Sequence, residues 1–150
     1  MPMKLKSKVY RTMIRPAMIY GAETWPTTKG EEDRMNVNEM RMLRWTCGVT
    51  RLDRIANRYI RGTMKVTEVS GKIKERRLAW YGHIERREEN HYLKRIANME
   101  VPGRRRRGRP KTRWKDCVRR DMEWIGLRKE DARDRNKWKK VLKNHYSDPV

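Results

Sequence analysis

Arg104, Arg105, Arg106 and Arg107 stand in a row, and Arg109, Lys111, Arg113 and Lys115 follow within eight positions. Guanidinium and ammonium groups at this density suit one chemistry, the neutralisation of phosphates. On duplex DNA each phosphate contacted steepens the fall of log affinity with log salt by roughly 0.9. Between Arg104 and Arg120 there are ten Lys or Arg and one acid, Asp116. Such a run also reads as a solvated charge tract or a nuclear import signal. Its flanks favour a clamp. Gly108 lets the backbone approach closely, Pro110 fixes the chain, and Arg109 can reach into a narrow minor groove, where negative potential is enhanced.

Other reactive residues do not converge in the sequence. Cys47, His83, His91, Cys117 and His145 show neither Cys-x-x-Cys nor paired-His spacing, so a tetrahedral zinc would draw its ligands from distant segments. No Ser or Cys sits in a strand-turn-helix elbow, and no glycine-rich loop suits a nucleotide phosphate. Asp116, Asp121 and Glu123 imitate a nuclease cluster on one helical stretch. Among Lys115, Arg119 and Arg120 they read better as surface ion pairs. Trp80 and Trp114 have the faces to stack on bases, but their helical spacing places them in a core. The expectation is a chain with no catalytic centre, metal, cofactor or small-molecule substrate of its own.

The whole composition agrees with the basic run. The chain has 150 residues, with 40 Lys+Arg against 19 Asp+Glu and a formal charge of +21. That excess predicts attraction to polyanions and self-repulsion without one. Six Trp, six Tyr and ten Met are too many bulky apolar groups for a disordered basic chain. A partly ordered domain, completed by a partner, is the expected object. No run approaches the roughly 20 apolar residues that span a bilayer, and the opening MPMKLKSK lacks the apolar centre of a signal peptide. The two cysteines, far apart, suggest no disulfide framework. A reducing intracellular compartment is expected, nuclear or cytoplasmic, with the nucleus favoured.

The elements that must carry these residues read as helices. Leu5, Val9 and Met13 repeat at helical spacing until Pro16, which interrupts the helix or begins a short second turn. Ile19, Tyr20 and Trp25 form an apolar patch. Thr28 and Glu31 have capping-box spacing, and the helix behind them, with Met35, Val37, Met40, Met42, Leu43 and Trp45, stops at Gly48. Asp53 caps a short helix from Ile55 to Ile60. Thr67 begins a longer one whose stripe is Val66, Val69, Ile73, Trp80 and Ile84, widened by Leu78 and Tyr81. Pro102, Gly103, Gly108 and Pro110 break periodicity over residues 98–111. Thr112 caps a helix with Trp114, Cys117, Val118, Met122 and Ile125, ended by Gly126. A last helix places Ala132, Trp138, Val141 and Leu142 together. The fold class is all-α, about five to six helices in a loose bundle with a basic Gly/Pro-containing hinge. Residues 1–97 and 112–150 are two helical segments, and 98–111 is the linker between them.

Five motifs then occur in a telling order: IRPAMIYGAETW at 14–25, MRMLRWTCGV at 40–49, RLAWYGHIERR at 77–87, GRRRRGRPKTRWKDCVRRDMEWIGL at 103–127 and DRNKW at 134–138. Together they resemble the region C-terminal to the polymerase core in non-LTR (LINE-type) retrotransposon reverse transcriptases. Trp80, Gly82 and His83 match that family's W-x-G-H signature, and residues 104–110 its R-R-x-R-G-R-P stretch. The resemblance implies a thumb-and-beyond region, without the Y-x-D-D aspartates or a C-C-H-C zinc knuckle. It implies that an upstream polymerase core does the chemistry while Arg104 to Lys115 hold RNA, DNA or their hybrid. The signature Trp80 and His83 read as structural, with a hydrogen bond from His83 to a phosphate as the alternative. Arg107-Gly108-Arg109-Pro110 also resembles the core of an AT-hook, with Arg106 in place of its leading proline. That keeps a chromatin-type DNA-binding module open as a second reading, and a nuclease using Asp116 or Asp121 as a third.

Overall fold

Pro16 does not end the first helix. A proline inside a helix lacks its own N–H and crowds the carbonyl four residues back, here that of Thr12. The chain widens instead into a π-helical turn, Tyr10–Ile14, between α1 (Met3–Val9) and α2 (Arg15–Met18). Local π turns relieve such conflicts. The structure, a computed structural model, describes residues 1–99, 107–108 and 111–149.

The remaining helices are α3 (Lys29–Cys47), α4 (Asn57–Met64), α5 (Val69–Glu85), α6 (Tyr92–Asn98), α7 (Trp114–Ile125) and α8 (Arg135–Tyr146). Three-residue to five-residue 3₁₀ turns lie at Ala22–Thr24 and Lys129–Arg133. Among the described residues there is no strand, so the molecule is all-α, with more helices than the five or six expected. The surplus comes from the split first helix and from α6. His91, whose Nδ1 accepts from the Leu93 N–H at 3.3 Å, caps α6.

Caps explain several boundaries. Thr28 and Glu31 form the expected capping box, the Thr28 N–H donating to Glu31 Oε2 at 2.7 Å and the Glu31 N–H to Thr28 Oγ1 at 3.4 Å. Gly48 and Gly126 end α3 and α7 as expected. Three expected caps are corrected. Asp53 accepts from the Thr50 N–H at 2.6 Å within a loop and caps no helix, so α4 starts at Asn57. Glu68 rather than Thr67 precedes α5. At α7 the Arg113 N–H donates back to Asp116 at 3.1 Å, and Thr112 lies one residue too early.

α5 is the central element, and its two halves bury different faces. Its first half gives Val69 and Ile73 to a cluster with Ile19 and Ala22. Its second half gives Leu78 to a cluster with Val118, Ile125, Trp138, Leu142 and Tyr146 from α7 and α8. A third cluster joins Tyr10, Met40, Leu43, Ile60, Met64 and Val66. Its buried apolar residues are divided between two sets of neighbours, so the expectation of one stripe over 66–84 is corrected. Trp80 belongs to none of these clusters and is partly exposed. Tyr20 and Trp45, expected in apolar patches, are 83% and 84% exposed. Ala132 is buried from the 3₁₀ turn that precedes α8 rather than from the last helix.

Polar joints tie the clusters together. The carboxylate of Glu39, fully buried, accepts from the Tyr10 hydroxyl at 2.7 Å, Arg61 Nη2 at 2.8 Å and the Val69 N–H at 3.1 Å. Arg77, also fully buried, pairs with Asp121 at 2.6 Å and donates to Thr27 Oγ1 at 2.5 Å. Near the chain's far end Asp148 accepts from Arg15 and from the Thr67 N–H and hydroxyl, both at 2.9 Å.

Candidate nucleic-acid interface

The expected clamp residues fall into two groups. Arg104, Arg105, Arg106 and Arg109 lie outside the described residues. Arg107, Lys111, Arg113 and Lys115 are exposed. Gly108 has φ of +125°, a backbone state that a side chain makes costly. A single side-chain contact links the two helices that flank the linker: Lys115 Nζ, on α7, donates to Asn98 Oδ1, on α6, at 3.3 Å. Arg107, Lys111 and Arg113 make no ion pair with any described residue.

The aspartates that follow in α7 are used elsewhere. Asp116 caps α7 and pairs with Arg119 at 3.4 Å. Asp121, expected on the surface, is 2% exposed and faces Arg77. Burial pushes its carboxyl above the usual range, against the pull of Arg77. The two aspartates thus serve different partners and do not converge. Among the described residues no group of three His, Cys, Asp or Glu is placed to hold a metal ion. Cys47 and Cys117 are free thiols. No helix among the described residues is long and apolar enough to cross a membrane.

The three signature residues divide sharply. Gly82 is a packing position: a Cβ there would meet Trp138 Nε1 at 2.6 Å and its Cδ1 at 2.9 Å. The Trp138 ring, 2% exposed, lies against bare helix backbone and donates to the Leu78 carbonyl at 3.0 Å. The W-x-G-H and DRNKW motifs are therefore two sides of one contact. Trp80 and His83 stay on the outside, their rings stacked at 5.4 Å with 15° between planes. His83 Nε2 lies 3.0 Å from Arg87 Nη2. Partial burial and the charges of Arg87 and Arg86 hold the imidazole below its ordinary value, which favours the form that accepts from Arg87. Trp114 behaves as expected for core: it packs beside Tyr81 against the cluster that holds Trp138, and its Nε1 donates to the Glu23 carbonyl at 2.7 Å.

Sequence reasoning missed the cations carried on helix faces. Lys139, Lys140 and Lys143 of α8 are exposed and make no ion pair with a described residue. Their signal, basic residues at one, three and four apart opposite Trp138 and Leu142, was present but diluted by a chain basic throughout.

Comparison with known proteins gives one informative likeness. The chain is 25% identical over 154 aligned residues to a putative uncharacterized transposon-derived protein of Caenorhabditis elegans, an alignment covering 95% of this chain and 55% of that protein. It spans about half the length of the curated relative it matches. No family model matches the chain, and no solved structure matches it. The likeness points to a transposon-related origin.

Proposed function

We propose that this chain is the nucleic-acid-holding region of a non-LTR retrotransposon reverse transcriptase, acting beside an upstream polymerase core and carrying no catalytic centre itself. The single observation that carries the reading is the exposed basic charge of Arg107, Lys111 and Arg113, which pair with no acid among the described residues. The order of the five motifs and the likeness to a transposon-derived protein support the parentage. The ligand is template RNA, target DNA or their hybrid, bound mainly through phosphates, with Arg104, Arg105, Arg106, Arg107, Arg109, Lys111, Arg113 and Lys115 as the clamp. Such work belongs in the nucleus, where target DNA is.

The test is salt-titrated binding to duplex, hybrid and single strand. With roughly five to eight phosphates engaged, affinity should fall about 10³–10⁵-fold between about 50 and 200 mM salt. Replacing Arg104 to Arg107 and Arg109 by Gln should weaken binding strongly and leave the helical circular dichroism unchanged. A flat salt response, or a Gln variant that binds duplex and hybrid like the parent, refutes the clamp. A marked preference for AT-rich duplex over hybrid would favour the chromatin-type module instead.

A further inference from the structure

Trp45 is 84% exposed, more than any other tryptophan in the chain. Arg41 precedes it by four residues on α3, which places the two on one face of the helix. Beside them α3 and α4 enclose an open groove of about 490 Å³ lined by Arg41, Arg44, Arg51 and Arg61 among others. Two of these cations are committed. Arg44 donates to the carbonyls of Thr50 and Ile55 at 3.2 and 2.8 Å and to Asn57 Oδ1 at 2.8 Å, which pins the loop that carries Arg51. Arg61 is held by Glu39 at 2.8 Å and faces Glu68 at 3.8 Å.

Two acids line the groove as well, Asp33 and the exposed Glu68, the latter facing Arg61. Asp33 pairs with Lys29 at 3.2 Å, and Asp53 is taken up by the Thr50 N–H and hydroxyl. Arg41 and Arg51 are left exposed, without an ion pair among the described residues. The result is an ordered, mainly basic groove, with the bare Trp45 indole one turn of α3 beyond its lining residue Arg41.

We propose that the groove between α3 and α4 is a second nucleic-acid site, specific for a single strand, with phosphates on Arg41 and Arg51 and a base stacked on Trp45. A base inside a duplex already has both faces covered, whereas an unpaired base offers a π-face to an aromatic platform. The two uncommitted guanidiniums of the lining, Arg41 and Arg51, suit a polyanion and would be costly to bury under an apolar protein helix. The inference rests on the nucleic-acid reading above but uses none of the linker residues.

The experiment uses the full chain, fluorescently labelled oligo-dT and a blunt duplex, with anisotropy as readout. Trp45→Ala should weaken oligo-dT binding at least roughly five-fold and leave duplex affinity unchanged. Arg41→Gln with Arg51→Gln should lower the single-strand salt slope by about 1.4, from roughly 0.7 per phosphate. All three side chains are exposed, so melts should match the parent; should Trp45→Ala unfold, the double Gln variant decides by its slope. In the linker Gln background residual oligo-dT binding should persist and disappear on adding Trp45→Ala. Undiminished oligo-dT binding by Trp45→Ala, or equal losses for strand and duplex, overturns the site. A linker variant with full duplex affinity defeats the clamp alone and leaves this site standing.

Discussion

Replacing Gly82 by Ala tests the packing of α8 on α5 with a single methyl group. The added carbon would sit 2.6 and 2.9 Å from atoms of the Trp138 ring and 3.0 Å from Arg86 Nη1. Comfortable contact needs about 3.5 Å or more, so the indole must retreat by roughly 1 Å. Trp138 is buried among Leu78, Val118 and Leu142, with no open side to move into. Overpacking of this kind costs about 1–3 kcal/mol, and stretching the Trp138 bond to the Leu78 carbonyl costs about 1 kcal/mol more. Opposing this, Ala is preferred over Gly inside a helix by about 1 kcal/mol. The net loss is about 1–3 kcal/mol, or a fall in Tm of very roughly 3–10 °C for a chain of this size. Gly62 supplies the control, since it lies within α4 and a Cβ there meets nothing within 4 Å. Gly62→Ala should raise stability by about 0.5–1 kcal/mol. Thermal and denaturant melts of both variants measure the pair. If Gly82→Ala is as stable as the parent, the two motifs do not meet as described.

Two further outcomes are expected. Burial works to raise the Asp148 carboxyl, but the hydrogen bonds from Arg15 and Thr67 outweigh it and hold it at about 2 against an ordinary 3.8. This lowered value contributes about 2 kcal/mol, fully present above pH 3.8 and lost as pH falls through about 2. Asp148→Asn should therefore cost about 2 kcal/mol at neutral pH and flatten the acid limb of a stability-against-pH curve; an unchanged limb would exclude the pairing. Trp80→Ala should cost about 1 kcal/mol or less, the value of one stacked ring pair. A loss of 3–5 kcal/mol in the melt would place the ring in a core after all.

Helical class, the Thr28 box, the Gly48 and Gly126 stops and the Trp138–Leu142 face were legible because each is written within a few residues. What was not legible depends on neighbours. Periodicity treated 66–84 as one face, but α5 has one set of partners at Ile73 and another at Leu78, so Trp80 falls between them. Asp121 looked like a surface acid because its local sequence is basic and polar; its partner, Arg77, lies 44 positions away. Gly82 was recognisable as part of a motif, yet its purpose required knowing where the Trp138 ring would lie. Of the candidate interface, the arginine run announced itself by density. Arg41 and Trp45 did not, because a tryptophan at helical spacing reads as buried until the structure shows nothing covering it.

The link between Arg15 and Asp148 also sets a schedule. Its partners are 133 positions apart, so on a ribosome the first helix is complete long before its carboxylate has been made. Until then Arg15 lacks the carboxylate it pairs with, and α5 still waits for the α7 and α8 side chains that cover Leu78. The native arrangement can close only after nearly the whole chain has emerged. A nascent chain of this charge would spend that interval exposing unpaired arginines, in company with the RNA that encodes it.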